Sequence, residues 1–274
     1  MMVEVLVHFV APALVGVLIG VASGLLGIGG GTVMVPIFRL AFGMSATVST
    51  ATSLFAIIPT SISGAISHVK GKTCIPALGI AAGLGGACLS PVGVWLAQLS
   101  PDWLVMLAAA LIIGYSAINT FKKAFKLRPA GQPAAGVDAA APTADDSSLS
   151  RKQLLQGAAI GLVAGLASGY VGVGGGFIMV PLMLSIIGIP MRKASGTSLI
   201  AVMILAIPGV IEQGIIGNIN YLAGIAIVIG TIPGAVIGAR LVTKVPERTL
   251  RLLFGCFLIV AAVMLVLNEV GIFG

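Results

Sequence analysis

Apolar residues recur along this chain in blocks of about 20 separated by short polar breaks, the length a helix needs to cross a hydrocarbon core of roughly 30 Å. Hydrophobic residues make up 58% of the 274 positions and charged residues 8%. A soluble domain carries about a quarter of its residues charged, so a soluble fold is excluded and an all-α polytopic membrane protein is expected. The first ten residues contain Glu4 but no Lys or Arg, so they lack the basic flank of a cleavable signal peptide. The first helix is therefore expected to be retained.

The chain is internally duplicated. Displacing it by 145 positions aligns residues 13 to 54 with 158 to 199 without a gap and gives 17 identities in 42. The matches include Gly16/Gly161, Gly20/Gly165, Ser23/Ser168, Gly24/Gly169, Pro36/Pro181, Gly43/Gly188 and the Thr-Ser-Leu runs at Thr52 and Thr197. At their centre, "GIGGGTVMVP" from Gly27 answers "GVGGGFIMVP" from Gly172, and Pro101/Pro246 carry the offset on through each half. Residues 1 to 126 read as the first transmembrane repeat and 153 to 274 as the second. Residues 127 to 152 are rich in Pro, Ala, Asp and Ser with few large apolar side chains, the composition of a flexible aqueous linker.

Each half offers five apolar elements: 8–26, 32–42, 46–66, 75–98 and 103–124, then 153–171, 177–188, 194–213, 221–243 and 249–268. If all ten cross and the linker is cytoplasmic, fourteen of the fifteen basic residues fall on the cytoplasmic side and only Arg39 is left over. That is the pattern of the positive-inside rule. If the two short elements merely dipped in and returned, Arg192, Lys193 and the Arg240 to Arg251 cluster would be split between sides. Five crossings per half place the halves in opposite orientation, as two inverted repeats. About eight full helices and two short glycine-broken ones are expected, with both termini outside. Transporters of this design bind at the repeat interface near mid-membrane.

The short elements span about 17 Å as helices and cannot cross alone. The GxGGG runs must supply extended backbone, which membranes tolerate only where it is buried in protein or lines a watery cavity. Glycines ahead of a helix also leave its first N–H groups open at the positive end of the dipole, an arrangement that favours an anion. Gly29, Gly30, Gly31, Gly174, Gly175 and Gly176 are therefore candidate substrate-lining positions. Gly16, Gly20 and Gly24, at spacings of four, fit close helix packing instead. Alanine at Gly30 or Gly175 is expected to disrupt transport more than alanine at Gly20.

Thr52, Ser53, Thr197 and Ser198 lie near the starts of the third elements, placed either to cap helices or to donate to a substrate oxygen. Arg39 stands in an apolar element opposite Leu184 of the other repeat, as an anion-attracting residue or one that snorkels to the interface. Glu212 is a protonatable coupling group or an interfacial carboxylate beside Gln213, Asn218 and Asn220. His68 reads as a solvated loop residue, and Trp95, Trp103 and Tyr221 as interfacial anchors. Cys74, Cys88 and Cys256 lack a CxxC spacing or a His cluster and fit packing. No metal site, cofactor or catalytic group is expected. HExxH, GxSxG and paired intramembrane aspartates are absent, so a hydrolase has no visible machinery.

"GLLGIGGGTVMVP", "ATSL", "GYVGVGGGFIMVP" and "GTSL", in two halves around a polar linker, resemble the sulfite exporter TauE/SafE family of bacterial membrane transporters. The resemblance covers almost the whole chain. It implies movement of sulfite, thiosulfate or an organosulfonate such as sulfoacetate across the cytoplasmic membrane, or of another small anion. The expected partners are this substrate, the lipid bilayer and a proton or sodium ion as candidate coupling ion; nucleic acid is not expected. A carrier working by alternating access and an anion channel are both compatible with such a lining, and saturation with counterflow separates them.

The topology yields a direct test. Reporter fusions at Gly136 should report cytoplasm and fusions at Gly274 the outside; a cytoplasmic C-terminus would overturn the inverted arrangement.

Overall fold

The computed structural model describes residues 11–126 and 150–269. These form ten helices: α1 Ala11–Leu26, α2 Gly31–Phe42, α3 Ala46–Lys70, α4 Pro76–Leu99, α5 Asp102–Lys126, α6 Arg151–Val171, α7 Gly176–Leu182, α8 Met191–Ile216, α9 Tyr221–Leu241 and α10 Glu247–Glu269. A π-helical turn, Met183–Ile187, continues α7 to Gly188. Seven of the ten, all except α1, α2 and α7, are long and apolar enough to cross a membrane. The described residues contain no strand. The elements match those expected from apolar blocks and polar breaks. Some boundaries move: α3 continues past residue 66 to Lys70, α8 spans Met191–Ile216 instead of 194–213, and Ser150 closes a capping box with Gln153, so Arg151 and Lys152 belong to α6 and not to the linker. Residues 127–149 lie outside the described residues, as do the termini.

Helix starts are held by polar side chains whose positions repeat at the 145-residue offset. Asp102, opening α5, accepts from the Ala46 amide at 3.2 Å, and Glu247, opening α10, accepts from the Met191 amide at 2.6 Å. Each acid therefore satisfies the first N–H of α3 or α8, the end at which a negative charge is favoured by the helix dipole.

Small residues decide which helices pair. α1 packs along α9 and α6 along α4, each with a glycine face against a neighbour's backbone. A methyl at Gly16 would lie 2.5 Å from the Ile227 carbonyl oxygen, and one at Gly165 2.5 Å from the Gly86 Cα. Gly20 and Gly24 meet Thr231 and Ala235 in the same way. Close packing is thus what the glycines spaced by four accomplish, as small-xxx-small faces do in membranes. The same contacts show that α1 runs parallel to α9 and α6 parallel to α4.

α3 and α8 form the centre and run antiparallel, with Leu54 near Gly209 and Leu199 near Gly64. α3 runs parallel to α9, with Thr52 beside Asn220 and Thr60 bonded to Thr231 at 2.6 Å. α4 runs parallel to α8, with Gly79 against Ile200 and Gly83 against Ile204. For α1 and α3 to run the same way, α2 must bring the chain back toward the side where α1 began. α7 does the same between α6 and α8. The short helices are therefore not hairpins that dip and return. Several basic loops also share one end: Arg192 donates to the Val245 carbonyl at 3.2 Å, and Lys70 lies near Arg240.

Glycine packing can be tested against a glycine with free space. Gly161→Ala and Gly230→Ala place a methyl against the Ala82 and Ala13 carbonyls, whereas Gly114 has nothing within 4 Å. The first two should each lose about 1–3 kcal/mol by overpacking. Gly114→Ala should be neutral or gain up to about 1 kcal/mol. Thermal unfolding of the detergent-solubilised protein, followed by tryptophan fluorescence, measures the difference.

Candidate functional site

The phrase that occurs twice has one backbone conformation. Gly27, Gly29 and Gly30 have φ of 76°, 78° and 85°, and Gly172, Gly174 and Gly175 have φ of 72°, 86° and 66°. Side chains with a Cβ rarely adopt this region, which accounts for three required glycines per break. Gly27 and Gly172 end α1 and α6, their amides bonding the Ser23 and Ser168 carbonyls at 2.8 and 2.7 Å. Gly30 and Gly175 then open α2 and α7.

The two breaks abut. A methyl at Gly31 would lie 2.5 Å from the Val173 carbonyl oxygen, and one at Gly176 would lie 2.5 Å from that of Gly27 and 2.9 Å from the Ile28 Cα. Ile57 of α3 and Val202 of α8, themselves 145 positions apart, touch both breaks. Ile57 is the twelfth of 25 residues in α3 and Val202 the twelfth of 26 in α8. The junction therefore lies at mid-length of the two central helices. Every residue from Gly27 to Thr32 and from Gly172 to Phe177 is buried.

The four Thr-Ser hydroxyls hold this junction from the opposite half. Ser53 donates to the Gly172 carbonyl and Ser198 donates to that of Gly27 at 2.7 Å. Thr52 accepts from the Asn220 amide at 3.0 Å, and Thr197 accepts from the Ile75 amide at 2.9 Å. Asn220 and Ile75 are the N-caps of α9 and α4. None of the four caps its own helix, since α3 and α8 begin at Ala46 and Met191. They tie each half's central helix to the other half's breaks and helix starts.

Sequence reasoning did not single out the buried hydroxyls that remain open, which besides Thr32, Ser49 and Ser90 include three beside the breaks. Ser23 and Ser168, fully buried, have no hydrogen-bond partner. Their Cβ atoms would lie 3.6 and 3.4 Å from methyls placed at Gly30 and Gly175, so the two serines stand symmetrically beside the starts of α2 and α7. Ser61, also buried and unpartnered, has its oxygen 3.4 Å from a methyl placed at Gly29. Buried hydroxyls normally find a partner, and an unpaired one costs about 1–3 kcal/mol. The signal available beforehand was the identity of Ser23 and Ser168 in the duplication. What it could not show is that neither hydroxyl bonds back to its own helix.

Other expectations are relocated. Alanine at Gly20 is no permissive comparison for Gly30, because its methyl would strike the Thr231 carbonyl and lie 2.8 Å from the Thr231 Cα. At Gly30 the methyl meets side chains, Met34 Cε at 3.0 Å, Ile19 Cγ2 at 3.1 Å and Ser23 Cβ at 3.6 Å, and no backbone, so strain there comes chiefly from φ. His68 is not a solvated loop residue. It is fully buried in the last turn of α3, with Nε2 donating to the Gly24 carbonyl and Nδ1 against the Thr73 hydroxyl, both at 2.7 Å. At the equivalent positions Asn218 donates to Gln213 at 2.8 Å, the counterpart of the His68–Thr73 contact. Arg39 is in the last turn of α2, nine residues beyond Gly30 and thus roughly 13 Å along the helix from the junction. Glu212 lies within α8, ten residues beyond Val202, with Oε2 sheltered and unpartnered. Trp95, Trp103 and Tyr221 are exposed, and Tyr221 stacks edge-on against Phe55.

The family model described as "Sulfite exporter TauE/SafE" matches residues 12–265. The chain is 28% identical to the probable membrane transporter protein YunE of Bacillus subtilis (strain 168), covering 97% of this chain and 99% of that one. It is 28% identical to YdhB of the same organism over 87% and 92% of the two chains. A probable membrane transporter protein of Xylella fastidiosa (strain Temecula1) is 24% identical over 92% of each. No solved structure matches the chain.

The serine ties give an expectation about stability. Ser53→Ala and Ser198→Ala each leave a break carbonyl unpaired in a buried site and should lower stability by about 1–3 kcal/mol. Thermal melts of the solubilised variants measure this; unchanged melting in both would show that the breaks do not depend on the cross-half bonds.

Proposed function

The chain belongs to the sulfite exporter TauE/SafE family, and from that premise we propose that it is a secondary transporter of a small sulfur-containing oxyanion. Sulfite, thiosulfate and an organosulfonate such as sulfoacetate are the candidates, carried across the bacterial cytoplasmic membrane by alternating access. The observation that carries this reading is the meeting of the two glycine breaks at mid-length of α3 and α8, beside the paired unpartnered hydroxyls of Ser23 and Ser168. Hydroxyl donors and the positive end of α2 offer an anion hydrogen bonds without a fixed counter-charge. That suits a carrier, which must release what it binds. Gly29, Gly30 and Gly31 with Gly174, Gly175 and Gly176 supply the bare backbone of the site. Thr52, Ser53, Thr197 and Ser198 hold it in place.

Because the junction is buried on all sides, passage requires Ile57 and Val202 to part, first toward one face and then the other. The left-handed glycines at the ends of α1 and α6 are the natural hinges, since they absorb backbone rotation without a Cβ clash. An inverted arrangement of the halves is supported by the antiparallel course of α3 and α8. A cytoplasmic position for the basic loops is supported by the shared end of Arg192, Val245, Lys70 and Arg240. Both termini then face outward. The reading requires no enzymatic step, metal or cofactor.

Ser23→Ala and Ser168→Ala test the site against a purely structural role. Removing an unpartnered buried hydroxyl should leave melting temperature unchanged or raise it slightly, while losing a bond to a charged ligand costs about 1.5–3 kcal/mol, roughly tenfold or more in affinity. Binding to purified protein, screened across sulfite, thiosulfate, sulfoacetate, taurine and sulfate, together with counterflow in proteoliposomes, gives the readout. A double variant that binds and transports like the parent would remove this junction as the site.

A further inference from the structure

A groove lies away from the junction, on one face of the α3–α9 pair. With a volume of about 810 Å³, it runs along the last turns of both helices. Its walls are apolar, with Ile62, Ile66 and Ile232 exposed along them. Lys70 and Arg240, the last basic residues of the two helices, stand together at one end, and no Asp or Glu lines the groove. Beside Ile62 the Ser63 hydroxyl donates to the Ile232 carbonyl at 2.8 Å, joining the two helices along the groove.

The duplication supplies an internal control. The positions equivalent to Lys70 and Arg240, 145 residues away, are Ile215 and Trp95, both exposed and apolar, and the position equivalent to Ser67 is Glu212. The related face on α8 and α4 therefore has no cationic end and carries an acid. Only one of two related membrane faces joins an apolar channel to a pair of cations.

We propose that this groove binds one phospholipid with an anionic headgroup, its phosphate between Lys70 and Arg240 and the upper part of an acyl chain along Ile62, Ile66 and Ile232. A soluble oxyanion fills the space of only a few waters, at roughly 30 Å³ each, and would leave the isoleucine walls uncovered. The chain of a lipid covers them, while the two cations answer the phosphate charge. The pairing also fixes the side: the site belongs to the leaflet that meets the basic loops. It is independent of which anion the junction carries.

Native mass spectrometry of the full-length protein, released from detergent after incubation with phosphatidylglycerol or phosphatidylcholine at equal concentration, tests the proposal. The parent should retain phosphatidylglycerol at least about fivefold more than phosphatidylcholine, and K70Q/R240Q should lose that preference. K72Q/K244Q, which removes two neighbouring cations that do not line the groove, should keep it and serves as the control for overall surface charge. Because Lys70 and Arg240 are exposed, the variants should fold, and a melt confirms it. Equal retention of the two lipids by the parent, an unchanged preference in K70Q/R240Q, or an equal loss in K72Q/K244Q would each overturn the site. Displacement of phosphatidylglycerol by millimolar inorganic phosphate would overturn the lipid in favour of a soluble anion.

Discussion

The structure depends on satisfying peptide groups where two helices stop in the middle of an apolar protein. A carbonyl without a partner there is costly, and water is not at hand to supply one. Gly27 and Gly172 each end a helix at such a place, and each carbonyl accepts a serine hydroxyl from the other half of the chain. Neither half can complete its own break. The same reciprocity holds at the starts of α4 and α9, whose N-cap amides are taken by Thr197 and Thr52. A run of four hydroxyls thus makes the two halves one structure, which a pair of independently folding repeats would not be.

Glycine serves this architecture in two distinct ways. In α1 and α6 it lets one helix backbone rest on another, and the obstacle to a side chain is a neighbouring carbonyl. In the breaks it supplies positive φ, and the obstacle is the residue's own Cβ. The first use packs α1 closely against α9 and α6 against α4. The second places left-handed turns at Gly27, Gly29 and Gly30 and at Gly172, Gly174 and Gly175, next to those pairs.

The duplication is kept most closely where backbone groups must be satisfied and departs elsewhere. Asp102 and Glu247 differ by one methylene yet accept from equivalent amides. His68 with Thr73 and Gln213 with Asn218 differ in chemistry yet close equivalent loops. By contrast Thr32 faces Phe177 across the offset, Ser61 faces Ala206, and Lys70 and Arg240 face Ile215 and Trp95. These departures lie along the junction and on the membrane face. Two related halves have thereby become unequal at the places a ligand or lipid would meet.

Among the described residues the number of helices, and their bounds to within a few residues, were legible in the sequence, because hydrophobic block length and glycine position act locally and need no partner. The pairing of the two breaks as related elements was legible too, from an ungapped 145-residue match. What tertiary structure alone decided was partnership. Which protein groups the Thr-Ser hydroxyls bond became visible only once α3 and α8 ran antiparallel and turned them onto the opposite half. His68 read as a surface residue until Gly24 arrived above it. Ser23 and Ser168 became notable only because no partner reached them. Hydrogen bonds between residues more than a hundred positions apart depend on how helices are packed, and packing is a property of two surfaces together, which neither segment's own sequence contains.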